Sequence, residues 1–321
     1  MLEISDFSKK QIMIYVPARG DKMSFKNDNI IITTKDGEIK YQLSCHRIFM
    51  VIVLGDTTIT TGLIRKAKKF GFSICFASLG MKVYCILDAK MEGNTLLHKK
   101  QYEYCGDEIA QKIIYNKIYN ERLTLLKIRN KTPDVKDAIN ILDENLLLLN
   151  NENVAGASLL AIEGNSARVY FARVFNQINW RGRKPRIKFD YINSLLDIGY
   201  TVLFNFIDAI LQVFGFDTYK GVLHTNFYMR KSLVCDIMEP FRTIIDWKVR
   251  TGINLHQFNE SDFVEYKKQW QLEYKYSTKY TWVFLEELLE YKEEIFLYIR
   301  SYYRCFMKEK RIECYPLFEY H

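Results

Sequence analysis

Residues Gly221–Arg242 of this chain read GVLHTNFYMRKSLVCDIMEPFR. The segment holds one histidine, His224, and two carboxylates one helical turn apart, Asp236 and Glu239. Residues three apart share a face of a helix, so both carboxylates and Arg242 are predicted to point the same way. Apolar residues fill the opposite face, which predicts that this face is buried. Such a helix is either a solvated surface helix or one wall of an active site.

The segment Ser158–Phe171, SLLAIEGNSARVYF, carries a single carboxylate, Glu163, directly after an apolar run. A carboxylate among apolar helix residues costs free energy unless it pairs with a cation or binds a metal ion. One interpretation is therefore a salt bridge, for instance to Arg168 or Arg242. The other interpretation is a role as a metal ligand.

Glu163, His224 and Glu239 together supply two carboxylates and one imidazole. Oxygen ligands favour Mg²⁺ or Mn²⁺, and the imidazole favours Mn²⁺ of the two. Such an ion activates an oxygen nucleophile and stabilises charge on a phosphate during transfer chemistry. For His224 alone, a capping or core role is the alternative that the sequence leaves open.

The length of 321 residues predicts two domains of an α+β protein. Residues 1–88 are predicted to form a small β domain with one short helix at 62–71, residues 89–100 a linker, and residues 101–321 a larger all-α domain. Short segments rich in β-branched and aromatic residues predict strands at 11–17, 29–34, 38–43, 48–54, 72–77 and 82–87. Asp36-Gly37 predicts a hairpin with a type I′ turn.

From residue 95 onward the apolar period changes from 2 to 3.6, which predicts one helix after another. The predicted helices span residues 96–130, 135–150, 154–177, 190–214, 232–251, 261–274 and 278–308. Polar residues interrupt the most apolar run, Thr201–Phe216, which is also too short to span a bilayer. A buried helix, and no membrane partner, is predicted there.

The chain has a formal net charge of +8, and its basic residues are not evenly spread. Between residues 164 and 188 there is no acidic residue, while the basic residues are Arg168, Arg173, Arg181, Arg183, Lys184, Arg186 and Lys188. Cations without a counter-charge repel each other unless an anion neutralises them. A nucleic-acid backbone is therefore modestly favoured over a solvated charged loop.

Several classes of function lack their sequence signals. The chain has no P-loop, no GxGxxG after a strand, no GxSxG elbow and no HExxH. Nucleotide hydrolysis and dinucleotide redox chemistry are therefore poorly supported. The seven cysteines form no CxxC pair, which argues against a zinc ribbon and predicts free thiols in a reducing, cytoplasmic location.

The two segments quoted above resemble the active-site motifs of the CRISPR-associated spacer-acquisition integrase family, the "Cas-one" family. The matching residues are Ile162-Glu163-Gly164, Leu223-His224, and Ser232-Leu233-Val234-Cys235-Asp236-Ile237-Met238-Glu239-Pro240-Phe241-Arg242. Ile237 stands where the family usually has leucine. The family also has a small N-terminal β domain and a larger helical domain, so the resemblance covers nearly the whole chain.

The resemblance implies a metal-dependent DNA integrase and endonuclease of CRISPR adaptation. It implies that 3′-OH ends of short foreign duplexes are joined to phosphodiesters at the repeat of a CRISPR array by transesterification. By position, Glu163, His224 and Glu239 would bind Mg²⁺ or Mn²⁺, and Asp236 would be an additional catalytic acid. The implied partners are the incoming duplex, the repeat DNA, a second copy of this chain held through the β domain, and a small "Cas-two" companion protein.

Arg168, Arg230, Lys231 and Arg242 are the candidates for contacts with DNA phosphates, with pairing on helix surfaces as the alternative. Two other functions stay open at this point. One is a transposon-type integrase of the same superfamily, and the other is a non-enzymatic nucleic-acid-binding scaffold. Metal dependence separates the second from an enzyme, since a scaffold would bind DNA without Mn²⁺ or Mg²⁺ and release no product.

Overall fold

The structure is a computed structural model that describes residues 10–80, 83–87, 94–150, 154, 156–178, 180–184, 187–224 and 227–321. The chain divides into two compact units. The first comprises Met1–Lys99 and Asp208–Asp217, and the second comprises Lys100–Ile207 and Thr218–His321. Residues 89–93 of the predicted linker lie outside the described residues, and from Thr95 onward the rest of it is helical.

The first unit is built on two sheets. Its strands are β1 (Gln11–Tyr15), β2 (Lys22–Lys26), β3 (Asn29–Thr33), β4 (Ile39–Ser44), β5 (Ile48–Leu54), β6 (Ser73–Ala77) and β7 (Val83–Leu87). One sheet has the order β1-β5-β6-β7, in which β5 runs parallel to both neighbours and β7 is antiparallel to β6. The other is the antiparallel sheet β2-β3-β4.

The core of the first unit forms where the apolar runs predict it. All seven residues of β5 are buried, as expected for a strand flanked by parallel neighbours. The helix α1 (Thr61–Phe70) is capped by the preceding Thr60, whose side chain accepts a hydrogen bond from the Leu63 N–H. It ends at Gly71, which has a φ of 67° that residues with a Cβ rarely adopt.

The two hairpins of the antiparallel sheet β2-β3-β4 correct the prediction of turn type. The β3–β4 hairpin is confirmed, but only Gly37 of its Asp36-Gly37 pair has positive φ, so the turn is not type I′. A type I′ turn requires positive φ at both central residues. Asn27 and Asp28 meet this condition, with φ of 48° and 55°, in the β2–β3 hairpin that the sequence did not predict.

The second unit is mainly helical. Its helices are α2 (Thr95–Glu103), α3 (Glu108–Leu126), α4 (Pro133–Leu149), α5 (Gly156–Val174), α6 (Tyr191–Val213), α7 (Ser232–Met238), α8 (Arg242–Asn254), α9 (Ser277–Glu290) and α10 (Lys292–Met307). The start of α2 and the end of α6 belong to the first unit by residue range. The predicted α+β class, a β domain followed by a larger helical domain, is confirmed.

Three long predicted helices are interrupted. The prediction of one helix over 96–130 is wrong because the chain turns between α2 and α3, where the Tyr104 hydroxyl accepts from the Ile109 N–H. The segment 232–251 contains a 3₁₀ turn, Glu239–Phe241, because Pro240 has no N–H to donate to the Asp236 carbonyl. The segment 278–308 breaks at Tyr291, between α9 and α10.

The predicted helix over 261–274 is also wrong. Residues Phe263–Tyr266 and Gln269–Leu272 form an antiparallel hairpin, β8–β9, within the second unit. Lys267 and Lys268 make its turn with φ of 52° and 62°. The turn lacks the glycine or asparagine that would have predicted it. The domain predicted as all-α therefore carries one small sheet.

Helix α3 fixes the inner part of the second unit through buried amides. The side chain of Asn116 both accepts from the Phe318 N–H (2.8 Å) and donates to the Phe318 carbonyl (2.6 Å). Asn120 accepts from the Tyr320 N–H (2.8 Å) and donates to the Pro240 carbonyl (3.2 Å). The C-terminal segment and the 3₁₀ turn are thus both held against α3.

Of the helices in the described ranges, α6 alone is long and apolar enough to cross a membrane, with a mean hydropathy of 1.5. However, 78% of its most apolar window is buried inside the protein. That burial agrees with the prediction of a core helix in this region.

Candidate active site

A concave space of about 1310 Å³ opens in the second unit beside α3, α5, α6 and α8. We call it the basin. Its charged lining residues are Lys117, Glu121, Glu163, Arg168, Arg181, Arg183, Lys188, Asp197, Arg230, Glu239, Arg242 and Asp246. The two carboxylates singled out by the sequence, Glu163 and Glu239, are therefore brought to the same space.

Glu163 and Glu239 are joined by a lysine that the sequence analysis did not select. The Lys117 ammonium on α3 contacts Oε1 of Glu163 and lies 2.9 Å from Oε2 of Glu239. The side chains of Lys117 and Glu239 are 10% and 5% exposed, whereas Glu163 is 26% exposed. The salt bridge considered for Glu163 exists, but its partner is Lys117. Arg168 bonds to Asn165 instead, and Arg242 to Glu239.

Glu239 is held as a carboxylate by two cations. Arg242 Nε lies 3.0 Å from Glu239 Oε2, and the Arg242 guanidinium lies over the Tyr200 ring at 4.6 Å. Burial acts to raise the pKa of Glu239, but Arg242 and Lys117 outweigh it and lower the pKa to about 2. The same contacts raise the pKa of Lys117 and of Arg242 despite their burial. Glu239, Lys117 and Arg242 are therefore all charged at neutral pH.

In two further acids of the basin, Glu121 and Asp246, the pKa is raised and not lowered. Burial raises the pKa of Glu121 to about 8, and its Oε2 has no hydrogen-bond partner among the described residues. Burial also raises the pKa of Asp246, to about 6. The hydroxyls of Tyr170 (3.0 Å) and Tyr200 donate to the Asp246 carboxylate and limit that rise.

His224 is oriented by Asp236. The Asp236 carboxylate is wholly buried and accepts from the N–H groups of Val222 (2.6 Å), Leu223 (3.1 Å) and His224 (3.0 Å). His224 Nδ1 lies 2.6 Å from Asp236 Oδ1. A carboxylate can only accept, so Nδ1 carries a proton, and in the neutral imidazole Nε2 is then the nitrogen with the lone pair. Asp236 thus holds the loop and the imidazole, and neither residue lines the basin.

The side chains of Glu163, Glu239 and His224 are of the chemical types that bind divalent ions. Two carboxylates face one cation, and an imidazole whose Nδ1 is anchored by a carboxylate is the usual form of a histidine ligand. Yet within the described residues no three His, Cys, Asp or Glu side chains stand together as a ligand set. The structure gathers Glu163 and Glu239 around Lys117 and places His224 with Asp236.

The predicted DNA-binding residues separate into two groups. Arg168, Arg230 and Arg242 line the basin, with Arg168 exposed and Arg242 engaged by Glu239. Lys231 does not line it; its ammonium lies 6.0 Å from the centre of the Tyr219 ring.

The basic run 164–188 finds acidic partners elsewhere in the chain. Arg183 pairs with Asp197 (2.6 Å), and Arg173 lies 3.5 Å from Asp134. Arg186 falls outside the described residues. Arg181 and Lys188 line the basin beside Arg168. The cations are therefore less isolated than the sequence suggested, and part of the run forms the basin rim.

Sequence reasoning missed Lys117, Glu121, Tyr200 and Asp246. One signal was present for the first two. Lys117 and Glu121 lie four apart on a helix among Ile113, Ile114 and Ile118. A charge on an apolar helix needs a partner, and this holds for Lys117 and Glu121 as it does for Glu163.

A family model described as "CRISPR associated protein Cas1" matches residues 14–285. The chain belongs to the Cas1 family. A "CRISPR-associated endonuclease Cas1 1" from Moorella thermoacetica is 30% identical over 250 residues, which cover 72% of each chain. A "CRISPR-associated endonuclease Cas1" from Leptospira interrogans is 35% identical over 184 residues, covering 52% of this chain and 70% of that protein.

Solved structures share the Cas1 fold at lower identity. A chain of a "Partial Cas6-RT-Cas1--Cas2 complex" has a TM-score of 0.76 and 21% identity, and the match covers 96% of this chain and 99% of that one. A "Casposase bound to integration product" has a TM-score of 0.68 and 21% identity, over 96% and 94% of the two chains.

Proposed function

We propose that this Cas1 protein is a divalent-metal-dependent DNA integrase and endonuclease of CRISPR adaptation. The observation that carries the proposal is the basin, where two carboxylates from separate elements, Glu163 and Glu239, line the same space as the cations of its rim, Arg168, Arg181, Lys188 and Arg230. Relatives named as Cas1 endonucleases support the nuclease activity, and the casposase likeness supports a fold compatible with integration.

The proposed reaction exchanges one phosphodiester for another. The 3′-OH oxygen of the incoming duplex forms a bond to a phosphorus atom of the repeat strand, and the existing bond from that phosphorus to the strand's own 3′ oxygen breaks. The number of phosphodiester bonds is unchanged, so the step needs no ATP. With water in place of the 3′-OH, the same site would hydrolyse DNA.

The residues of the proposed site have three different roles: binding the metal, orienting a ligand and keeping a ligand ionised. Glu163, Glu239 and His224 would hold Mg²⁺ or Mn²⁺, which when bound stabilises charge on the transferred phosphate. Asp236 orients His224 so that Nε2 faces away from the carboxylate, and it is a positioning residue in this proposal. Arg242 keeps Glu239 ionised.

The rim would hold the DNA backbone. Arg168, Arg181 and Arg230 line the basin with guanidinium groups, which bind phosphates in a bidentate manner. The proposed partners are duplex DNA, a second copy of this chain held through the first unit, and a Cas2 protein, because two of the solved structures with this fold are Cas1–Cas2 complexes.

A transposon-type integrase is the second candidate, and the casposase likeness favours it. Both enzymes would use the same basin and differ only in the DNA that they select. A non-enzymatic scaffold is disfavoured because relatives of this chain are named as Cas1 endonucleases.

Cleavage of labelled branched DNA tests the proposal against the scaffold. The wild-type protein is expected to release product with Mn²⁺ or Mg²⁺ and none with EDTA. Glu163→Gln keeps the side-chain shape but removes the charge, so we expect cleavage to fall by at least about 100-fold. DNA affinity at fixed salt should change little. Glu144→Gln, an exposed carboxylate on α4, is the matched control and should cleave normally.

A Glu163→Gln protein that cleaves at the wild-type rate would remove Glu163 from the site. Wild-type protein that binds DNA but yields no product with either ion would favour the scaffold.

A further inference from the structure

Lys117 occupies the position between the two carboxylates that an ion would also need. Its ammonium contacts Oε1 of Glu163 and Oε2 of Glu239, and all three residues line the basin. The three residues come from α3, α5 and the 3₁₀ turn that follows α7, so the ammonium joins three elements. It is the cation in direct contact with both acids among the described ion pairs.

An ammonium and a divalent ion use the same lone pairs of a carboxylate. Mg²⁺ requires carboxylate oxygens at about 2.0–2.1 Å and in near-octahedral geometry. An ammonium hydrogen bonded to those oxygens would stand within about 4 Å of the ion, where like charges repel strongly in a partly buried site. Both cations cannot hold the pair in this arrangement.

We propose that Lys117 is a built-in competitor of the divalent ion: it holds Glu163 and Glu239 together and is displaced from at least one of them when the ion binds. This inference rests on the proposed function, because it assumes that Glu163 and Glu239 are ligands. It makes Lys117 a positioning residue that sets the affinity of the site for metal. The metal concentration that DNA cleavage requires would then be set in part by the contact of Lys117 with Glu163 and Glu239.

An ordinary structural ion pair is the alternative explanation of the same contact. Such a pair would stabilise the fold, and its lysine would not respond to metal. It predicts that replacing Lys117 loses metal affinity through disorder of the carboxylates, or leaves the affinity unchanged. The competitor predicts a gain, so the two explanations differ in sign.

Mn²⁺ binding by calorimetry, without DNA, separates them. Lys117→Met keeps the length and the apolar stem but removes the charge. We expect Mn²⁺ to bind at least about tenfold more tightly than to the wild type, since a repelling charge is gone. Lys112→Met is the matched control on the same helix; its ammonium lies over the Tyr115 ring and outside the basin lining, and it should bind as the wild type does.

Thermal unfolding gives a second readout. Without added metal, Lys117→Met should melt several degrees below the wild type, because the buried Glu239 and the partly buried Glu163 lose a shared cation. Mn²⁺ should raise its melting temperature by more than it raises that of the wild type. Equal or weaker Mn²⁺ binding by a folded Lys117→Met protein overturns the competitor.

Amine labelling of the wild-type protein keeps the inference testable if Lys117→Met does not fold. Mass spectrometry would compare acylation of Lys117 and Lys112 with and without Mn²⁺. Release from a carboxylate predicts labelling of Lys117 at least about threefold faster with Mn²⁺, and no change at Lys112. Unchanged or slower labelling of Lys117 contradicts the release.

Glu163→Gln separates failure of this inference from failure of the proposed function. Unchanged Mn²⁺ binding in Glu163→Gln would show that this carboxylate is no ligand, and the proposed site would fail first. Weakened binding there, together with wild-type affinity in Lys117→Met, would leave the proposed function intact and reject the competitor alone.

Discussion

Glu121 is a carboxylate of the basin whose burial is poorly offset by hydrogen bonds or nearby cations. It is 3% exposed, and its Oε2 has no hydrogen-bond partner in the described part of the chain. Burial raises its pKa to about 8, and Lys117, the charge that opposes this rise, is already shared by two other carboxylates. An isolated buried carboxylate responds by keeping its proton. Glu121 is thus protonated over much of the range in which unfolded glutamate is charged.

The pH dependence of stability follows from that shift. Between about pH 4.5 and 8 the folded protein retains a proton that the unfolded chain releases, so the free energy of unfolding falls as pH rises through this window. Glu121→Gln has a neutral side chain at every pH, so it removes this fall in the free energy of unfolding. We expect the stability of Glu121→Gln relative to wild type to be about 3–4 kcal/mol more favourable at pH 8 than at pH 5.

Urea unfolding at both pH values measures this difference. Glu144→Gln, which removes an exposed carboxylate, should show nearly the same relative stability at the two pH values. An identical relative stability of Glu121→Gln at pH 5 and pH 8 would contradict a raised pKa. Asp246, whose pKa is also raised, contributes a background that is common to all three proteins.

At this scale the sequence predicts the identity of the charged residues better than their partners. Family motifs and the apolar sequence context single out Glu163 and Glu239. Both residues do line the basin. Lys117 could not be placed between them from spacing, since the contact joins three elements distant in sequence. The prediction that Asp236 and Glu239 point the same way is wrong, because Asp236 contacts His224 and only Glu239 lines the basin.

The loop before α7 is held by a single buried carboxylate. Asp236 accepts from three consecutive N–H groups of residues 222–224 and from the His224 ring. Gly221 lies directly against this arrangement. A Cβ at Gly221 would stand 2.6 Å from Asp236 Oδ2 and 3.0 Å from the backbone carbon of Ser232. The loop can approach α7 this closely only because residue 221 has no side chain.

Gly221→Ala is therefore expected to destabilise the protein by about 1–3 kcal/mol, as overpacking of a close-packed site does. Chemical unfolding checks the prediction. Gly164→Ala is a control of opposite sign, because a Cβ at Gly164 on α5 meets nothing within 4 Å. It should be neutral or stabilise by up to about 1 kcal/mol. A Gly221→Ala protein as stable as the wild type would refute the close packing.

The elements themselves were predictable where composition is strongly patterned. The buried β5, the glycine-terminated α1 and the apolar α6 follow from runs, caps and periodicity. The errors occur where one local contact overrides the pattern. Tyr104 turns the chain between α2 and α3, Pro240 converts a helical turn to 3₁₀, and two lysines with positive φ make the β8–β9 turn.

Across the whole molecule the net charge of +8 is organised unevenly. Two cations of the run 164–188, Arg173 and Arg183, meet carboxylates from other elements, and Arg168, Arg181 and Lys188 line the basin. Composition predicted a polyanionic partner but could not indicate which cations are neutralised, because that depends on tertiary pairing. The proposed dimerisation through the first unit stays a prediction.

Joining of DNA ends tests the central claim most directly. The measurement incubates a labelled short duplex with a plasmid that carries a leader and repeat, in Mn²⁺, with and without an added Cas2 protein, and maps the junctions by sequencing. We predict that the wild-type protein joins label through 3′ ends at the repeat boundaries. Glu163→Gln should bind the duplex and join none. Joining at the wild-type level by Glu163→Gln, or wild-type protein that binds both DNAs and never joins them, would contradict the proposal.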